Sequence, residues 1–549
     1  MIRALYLGRF GIIDAIVMAA PLLIGWILYE PLASWRQPGT LLVGTFPAGE
    51  QPTGTTGQAY ATVQAALDRA IPGDRIVIAP GTYFERIHVR RGGTVTNPVI
   101  ISAASPGTVT ISGADPRGVP AEWKWQDDGD GVYSTAISRP VYRLDNGEAT
   151  CFRVPWGGLT ALRELAAKPG AWSAFCTEND RLYVALRDGR HPAQASLKTH
   201  RPAPAPREWG EFKSAAVWIE ADHVQLEGLR IEDGIGAAVA IWNAQDVDLR
   251  DCAFSGSTFG VRCVDGQIPP RNVRLTNCLY HNFPQYHWRR DWLTWNEVYA
   301  GYAASSLVTS AAAPLTIENC LVVHAGDALQ VSPRYEPPAA LAQIHNNYLA
   351  FCTDDAIEFD GDGFYVEVRS NLVYEAHQNL AFSPVEYGPI IVRENLFAHP
   401  PDGINGSQVK LITNQKGQQI QHVTVRDNVF VGNWLCWWSE ASRAQNEFVN
   451  NWFFVRQQAD PPWPPDGVEI GPQQVEISST GDLPETTLKR WYHSANEPGW
   501  VRNMLEQRPG PSWWNAETHP ATRDAMHWRE QLREALFHSQ FETAKAASP

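Results

Sequence analysis

An all-β chain wound as a right-handed parallel β-helix is predicted by three features of the 549-residue sequence. Short branched-residue segments recur along its middle, each alternates apolar with polar residues, and each closes on a small or amide residue. Segments opening at Val224, Val247, Val273, Leu315, Ala342, Val366, Ile390, Val423 and Glu447 close at Gly228, Cys252, Cys278, Cys320, Asn347, Asn371, Asn395, Asn428 and Asn451. The closing positions are separated by 24, 26, 42, 27, 24, 24, 33 and 23 residues. A period in the mid-twenties suits a solenoid whose coils bury one another's faces, and the leucine consensus of a leucine-rich repeat is absent. Alternation puts one set of side chains inside each coil and the other on its wall. The shared closing position predicts a stacked ladder, with asparagine amides bonding along it and Cys252, Cys278 and Cys320 as buried reduced thiols in the same small site.

From the N-terminus, residues 11–29 are apolar except for Asp14 and follow Arg3 and Arg9. That pattern predicts a signal anchor or signal peptide over 1–35, membrane attachment through 11–29, and an extracytoplasmic chain, membrane-anchored or secreted. The β-helix is expected over 55–480. Tyr60–Ala70 reads as a helix covering the first coil, with Val63, Ala66, Leu67 and Ala70 on one side, and Arg75–Ala79, Val99–Ser102 and Val109–Ser112 as early strands. Residues 113–215 break the repeat and read as an inserted module with strands at Trp172–Cys176 and Arg181–Leu186. Two later gaps read as outward loops: an aromatic loop over 283–313, and Pro400–Gln421. Residues 481–549 read as a helical extension packing on or beyond the last coil, with helices near Leu488–Tyr492 and His527–Ala546.

The formal charge of −14 disfavours a duplex nucleic-acid groove, which needs concentrated positive charge, so nucleic acid is not an expected partner. The 22 tryptophans supply flat rings for sugar faces as well as for packing. Eight cysteines without C-x-x-C spacing argue against a zinc knuckle or thioredoxin-like site, and no transition-metal pattern occurs.

Tyr60-Ala-Thr-Val-Gln-Ala-Ala-Leu67, followed by Pro72-Gly-Asp-Arg-Ile-Val-Ile-Ala-Pro-Gly-Thr-Tyr83, resembles the opening of pectate-lyase-like β-helix proteins. The Thr353-Asp354-Asp355 segment resembles the paired-aspartate element of polysaccharide hydrolases related to polygalacturonases. That resemblance implies an inverting hydrolase with Asp354 as general acid and Asp355 as the water-activating group. No companion Gly-His-Gly or Arg-x-Lys element accompanies the pair. Chondroitinase- and alginate-lyase-like β-helices share the early resemblance, but their basic catalytic pair has no counterpart that can be placed here.

The repeat alone aligns Gly326–Ser332 with Asp354–Asp360 and with Gln378–Pro384. Leu329 and Val331 then lie inward under Ile357 and Phe359, while Gln330, Ser332, Glu358 and Asp360 face out. Asp327 stacked on Asp355, about 4.8 Å away as neighbouring strands require, raises one carboxyl pKa and suits acid/base work. Asp327, Asp354, Asp355 and Glu358 are therefore the catalytic candidates. Asp355 is expected at the surface, where its loss matters little to folding. His324, Asp360, His377, Glu386, Tyr387, Trp288, Trp292 and Trp295 are the substrate-binding candidates, with Arg289, Arg290, Arg393 and Lys416 in reserve for an acidic sugar. No resident metal is required, although the same hard oxygens can take Ca2+.

Paired carboxylates slightly favour a glycoside hydrolase over a uronate polysaccharide lyase, acting on a polysaccharide or oligosaccharide in a cleft along the coils. A non-catalytic glycan-binding or cell-envelope structural protein explains the repeat equally without acid/base chemistry.

Overall fold

The computed structural model describes residues 36–537 apart from 47–58, 115–122, 139–140, 142, 147–150, 155–157, 169–172, 201–214, 235, 265–269, 283–305, 311, 333–341, 362, 401–405, 414–417, 439–441, 458–467 and 478–483. A parallel sheet of 13 strands runs from Thr40–Val43 to Val468–Ile470. Within it Val224 lies beside Val247, Val247 beside Val273 and Val273 beside Leu315. Ala342, Val366, Ile390 and Val423 continue the column. The sequence repeats are therefore successive coils of the predicted β-helix. Each coil turns through two further walls, whose strands also pair in parallel with those above and below. One continuous apolar core fills the interior, from Val43 through Phe254, Ile317 and Phe359 to Phe453.

The corner after the 13-stranded sheet holds the ladder. Asn347 Nδ2 donates to Asn371 Oδ1 at 2.9 Å, Asn371 to Asn395 at 2.9 Å, Asn395 to Asn428 at 2.9 Å and Asn428 to Asn451 at 3.0 Å. Each Oδ1 also accepts the backbone N–H of the coil before, beginning with Cys320 N–H to Asn347 at 2.9 Å. The three cysteines occupy the same column as buried free thiols. The Cys278 thiol donates to Leu249 O at 3.4 Å, and burial pushes the Cys252 thiol up to about 12.

The first coil is closed by α1 (Val63–Leu67), shorter than the helix expected, with Thr62 accepting the Ala65 N–H. Val63, Ala66 and Leu67 insert into the core. Val99–Ala103 pairs directly with Val224–Glu227 and Val109–Ser112 with Leu229–Glu232, so the residues between Ser112 and Ala215 are inserted between adjacent coils. They form a five-stranded sheet with α2 (Gly158–Ala166) and their own apolar clusters. The expected strands appear there as Ala174–Glu178 and Arg181–Ala185.

Helices α3 (Pro484–Ser494), α4 (Gly499–Glu506) and α5 (Arg523–Phe537) do not cap the last coil. They lie along one wall, where Leu488, Trp491, Met504, Trp528 and Leu532 pack on Leu279, Leu321, Tyr348, Leu372 and Leu396. Tyr348 Oη donates to Ala525 O at 2.7 Å, and Trp513 Nε1 to Asp251 O at 2.8 Å. The wall needs this cover because its outward positions are apolar.

Three expectations require correction. Among the described residues no helix is long and apolar enough to cross a membrane. The signal anchor, the membrane attachment through 11–29 and the membrane-anchored location thus find no support in any described helix, and that segment itself lies outside the described residues. Second, the two gaps read as loops contain coil strands: Ser306–Ser310 in the first, Ser407–Leu411 and Gln419–Gln421 in the second. The intervening chain made the period irregular and hid them. Third, Asp355 is not a surface residue: it is wholly buried.

Candidate active site

The acidic candidates lie on the third wall, carried by β1 (Ser306–Ser310), β2 (Leu329–Val331), β3 (Tyr348–Gly361), β4 (Leu372–Val385) and β5 (Ser407–Leu411). Leu329 pairs with Ile357 and Gln330 with Glu358, the register read from the repeat. Asp355 pairs with Gln378, Glu358 with Ala381, and Ala381 with Lys410. One column along the wall is thus Thr309, Gln330, Glu358, Ala381 and Lys410.

β3 slips register between Cys352 and Asp355. Such an irregularity re-aims side chains and frees backbone groups. Asp327 supplies an acceptor for one of them, taking the Asp355 N–H on Oδ1 at 3.2 Å. Carboxylate oxygens of Asp327, Asp355 and Glu358 come within 4.8 Å of one another. Asp327 and Asp354 are almost fully buried, Asp355 wholly so, while Glu358 remains partly open to solvent.

Lys410 joins this cluster. Its Nζ lies 2.7 Å from Asp355 Oδ2, although β4 separates their strands. Adjacent strands are about 4.8 Å apart, so the lysine must arch across one full coil. The small Ala381, which stands between Glu358 and Lys410 in the column, leaves room for that reach. On the other side, Thr309 Oγ1 donates to Gln330 Oε1 at 2.8 Å, and Gln330 Nε2 donates to Glu358 Oε2 at 2.9 Å. The amide is thereby held with its donor toward Glu358.

Burial dominates the electrostatics and neighbouring carboxylates reinforce it. Desolvation, then Glu358 and the two aspartates, holds the Asp327 carboxyl well above the usual range. Desolvation and Asp355 do the same to Asp354. Desolvation raises Asp355 as well, and Lys410 pulls it back. Glu358 is pushed up to about 7 by desolvation and by the Asp355 charge. Burial works against the Lys410 ammonium, but Asp355, Asp354 and Glu358 outweigh it and raise its pKa. The site therefore contains one fixed cation and more carboxyl groups than it can ionise together.

Of the binding candidates, Asp360 is exposed at the end of the same strand, its N–H bonded to Ser332 Oγ at 2.8 Å. Tyr387 is 51% exposed and stacks on Phe364 at 4.4 Å, an open aromatic face beyond the strand. Glu386 is partly buried and accepts the Gln419 N–H at 3.3 Å, a contact that holds the turn. His324 is buried in a bend, stacked on Phe351 at 5.3 Å. His377 is half-buried within β4, immediately before Gln378. Arg393 pairs with Glu367 at 2.9 Å on the 13-stranded sheet, away from the carboxylates. Trp288, Trp292 and Trp295, with Arg289, Arg290 and Lys416, lie outside the described residues.

The sequence repeat does not single out Lys410, because the irregular spacing makes 400–421 resemble a loop. The signal was present: Ser407-Gln-Val-Lys-Leu411 alternates like Gln378-Asn-Leu-Ala-Phe382 and pairs with it residue for residue. Asp327, Asp355 and Glu358 offer the hard oxygens a divalent cation prefers, but the Lys410 ammonium already sits on Asp355 and competes for the same charge.

Residues 58–117 match the family model described as Chondroitinase B. This stretch spans the N-terminal helix and first coils and includes none of the carboxylate cluster. No curated protein matches the chain. Among solved structures, the complex of XylC with xylose is 12% identical, covers 76% of each chain and gives a TM-score of 0.47. A mannuronic acid specific polysaccharide family 6 lyase from human gut microbiota is 12% identical over 85% of this chain and 94% of its own, with a TM-score of 0.39. A glycoside hydrolase is 13% identical over 80% and 97%, also at 0.39. Likeness at this level is one of architecture and assigns no reaction to the cluster.

Proposed function

We propose that this chain cleaves polysaccharide by acid/base chemistry at the Asp327, Asp354, Asp355, Glu358 and Lys410 cluster, with hydrolysis as the reaction. The reading rests on Glu358. It is the member of the cluster most open to solvent, it is oriented by Gln330, and a pKa of about 7 leaves it part-protonated at neutral pH. A proton donor to a leaving glycosidic oxygen needs those properties. Asp354 is the second carboxyl in this reading. Asp327 and the Asp355–Lys410 pair lie deeper and set the charge of the first two. Tyr387 and Asp360, at the open end of the strand, provide sugar contacts.

The cation supports a second reading. Lys410 beside three carboxyl groups can neutralise a uronate carboxylate, the requirement for abstraction of the neighbouring C5 proton in a lyase. Product analysis on neutral and acidic glycans decides between them. Saturated reducing ends support hydrolysis, and unsaturated uronyl ends overturn it in favour of elimination. No product from any glycan, with binding retained in Glu358→Gln, overturns both.

A further inference from the structure

A second site lies at a different corner of the coil. Between the last coils and the C-terminal helices is a cleft of about 500 Å3, lined by Asp427, Asn450, Trp452, Gln473, Trp491 and Trp500 among others. Its size falls in the range of about 300–1,000 Å3 usual for small-molecule sites. Asp427 and Asn450 belong to the asparagine-ladder corner, each immediately before a ladder residue, whereas the carboxylate cluster is on the third wall. The two sites share no residue.

Among the described residues, the lining combines three indoles with polar groups that lack partners. Trp491 lies 6.5 Å from Trp452 and 6.0 Å from Trp500, ring centre to ring centre. Trp491 is only 4% exposed, and its indole N–H makes no hydrogen bond. Gln473 donates through Nε2 to Phe448 O at 3.3 Å, but its buried Oε1 has no donor. A buried N–H and a buried carbonyl both left open are costly and call for an explanation such as a ligand. Asn450 is exposed, and Asp427 is held by Arg426 at 2.7 Å through Oδ2. The lining contains a carboxylate and no lysine or arginine.

We infer that this cleft binds a neutral sugar unit of a glycan. Indole faces match the apolar C–H face of a sugar ring, while amide and carboxylate groups match its hydroxyls. Among the described residues no lysine or arginine lines the cleft, in contrast with the cluster around Lys410, and the neighbouring Arg426 is engaged by Asp427. The site is thus an anchoring site apart from the cleavage centre, and it does not depend on the reaction proposed above.

Titration calorimetry and tryptophan fluorescence of the full chain with cellotriose, xylotriose, mannotriose and trigalacturonate test the inference. At least one neutral trisaccharide is expected to bind, with equal affinity in Glu358→Gln. Trp500→Ala should weaken it tenfold or more and Asp427→Asn several-fold. Asparagine tolerates the φ of 57° at position 427, so that variant decides alone if Trp500→Ala does not fold. Absence of neutral-sugar binding, binding lost in Glu358→Gln, or binding that Asp427→Asn leaves unchanged overturns the proposal.

Discussion

Asn347, Asn371, Asn395, Asn428 and Asn451 stack at one corner of the coils, while Asp327 and Asp355 stack on another wall with the same spacing between strands. The asparagine column satisfies itself, because each amide carries a donor for the next coil and an acceptor for the last. An ionised carboxylate has only acceptors. Stacking it leaves like charges unresolved, so the column takes up protons and recruits Lys410. One corner turns repetition into stability; the other turns it into displaced pKa values, the usual mark of a working site.

The largest expected effect is on rate. Glu358→Gln keeps the Gln330 contact sterically but removes the proton, and should lower turnover by about 10²–10⁴-fold with circular dichroism unchanged. Product formation on an identified substrate measures it, and near-normal turnover would return the cluster to a structural role.

Asp355→Asn should instead cost folding. It leaves the Lys410 ammonium buried without its closest partner, a change of up to about 3–5 kcal/mol, reduced because Asp354 and Glu358 remain nearby. Lys410→Met in the same chain should recover much of that loss, and urea denaturation of both single variants and the double variant would reveal the coupling. Additive losses would mean that the pair is not a unit.

At the satisfied corner, Asn395→Ala removes donors to Val368 O, Arg393 O and Asn428 Oδ1 and strands the Asn371 backbone N–H. About 2–4 kcal/mol should be lost, with activity per folded molecule unchanged. Cys278→Ala, one thiol in the same column, should cost less than Asn395→Ala by the same assay.

The smallest effect is in pH dependence. Glu358 has a folded pKa raised to about 7, above its unfolded value, so its protonated form favours the fold. Its contribution is complete below about pH 4 and disappears as pH rises through about 7, an effect of order 1–3 kcal/mol. Asp327 and Asp354, also raised, act in the same direction. Melting temperatures should therefore fall between pH 5 and pH 8, and more weakly in Glu358→Gln. An equal slope in that variant would place the titration elsewhere.

The coil period, the inward alternation, the ladder and the register of Asp327, Asp355 and Glu358 were legible in the sequence. Each follows from local chemistry repeated at a fixed interval: Val224 predicts Val247, and Asn371 predicts Asn395. Tertiary structure decided what has no such local rule. Lys410 reaches Asp355 across an intervening strand that places the small Ala381 beside it, a relation spanning 55 residues and one intervening coil. Asp355 is buried because neighbouring coils close around the slipped register of β3, which alternation alone does not foresee. The C-terminal helices likewise lie along a wall instead of across the end, since the apolar surface they cover is assembled from many coils at once. Periodic side chains announce their neighbours; a charge pair or a covering helix depends on surfaces that exist only after the coils have stacked.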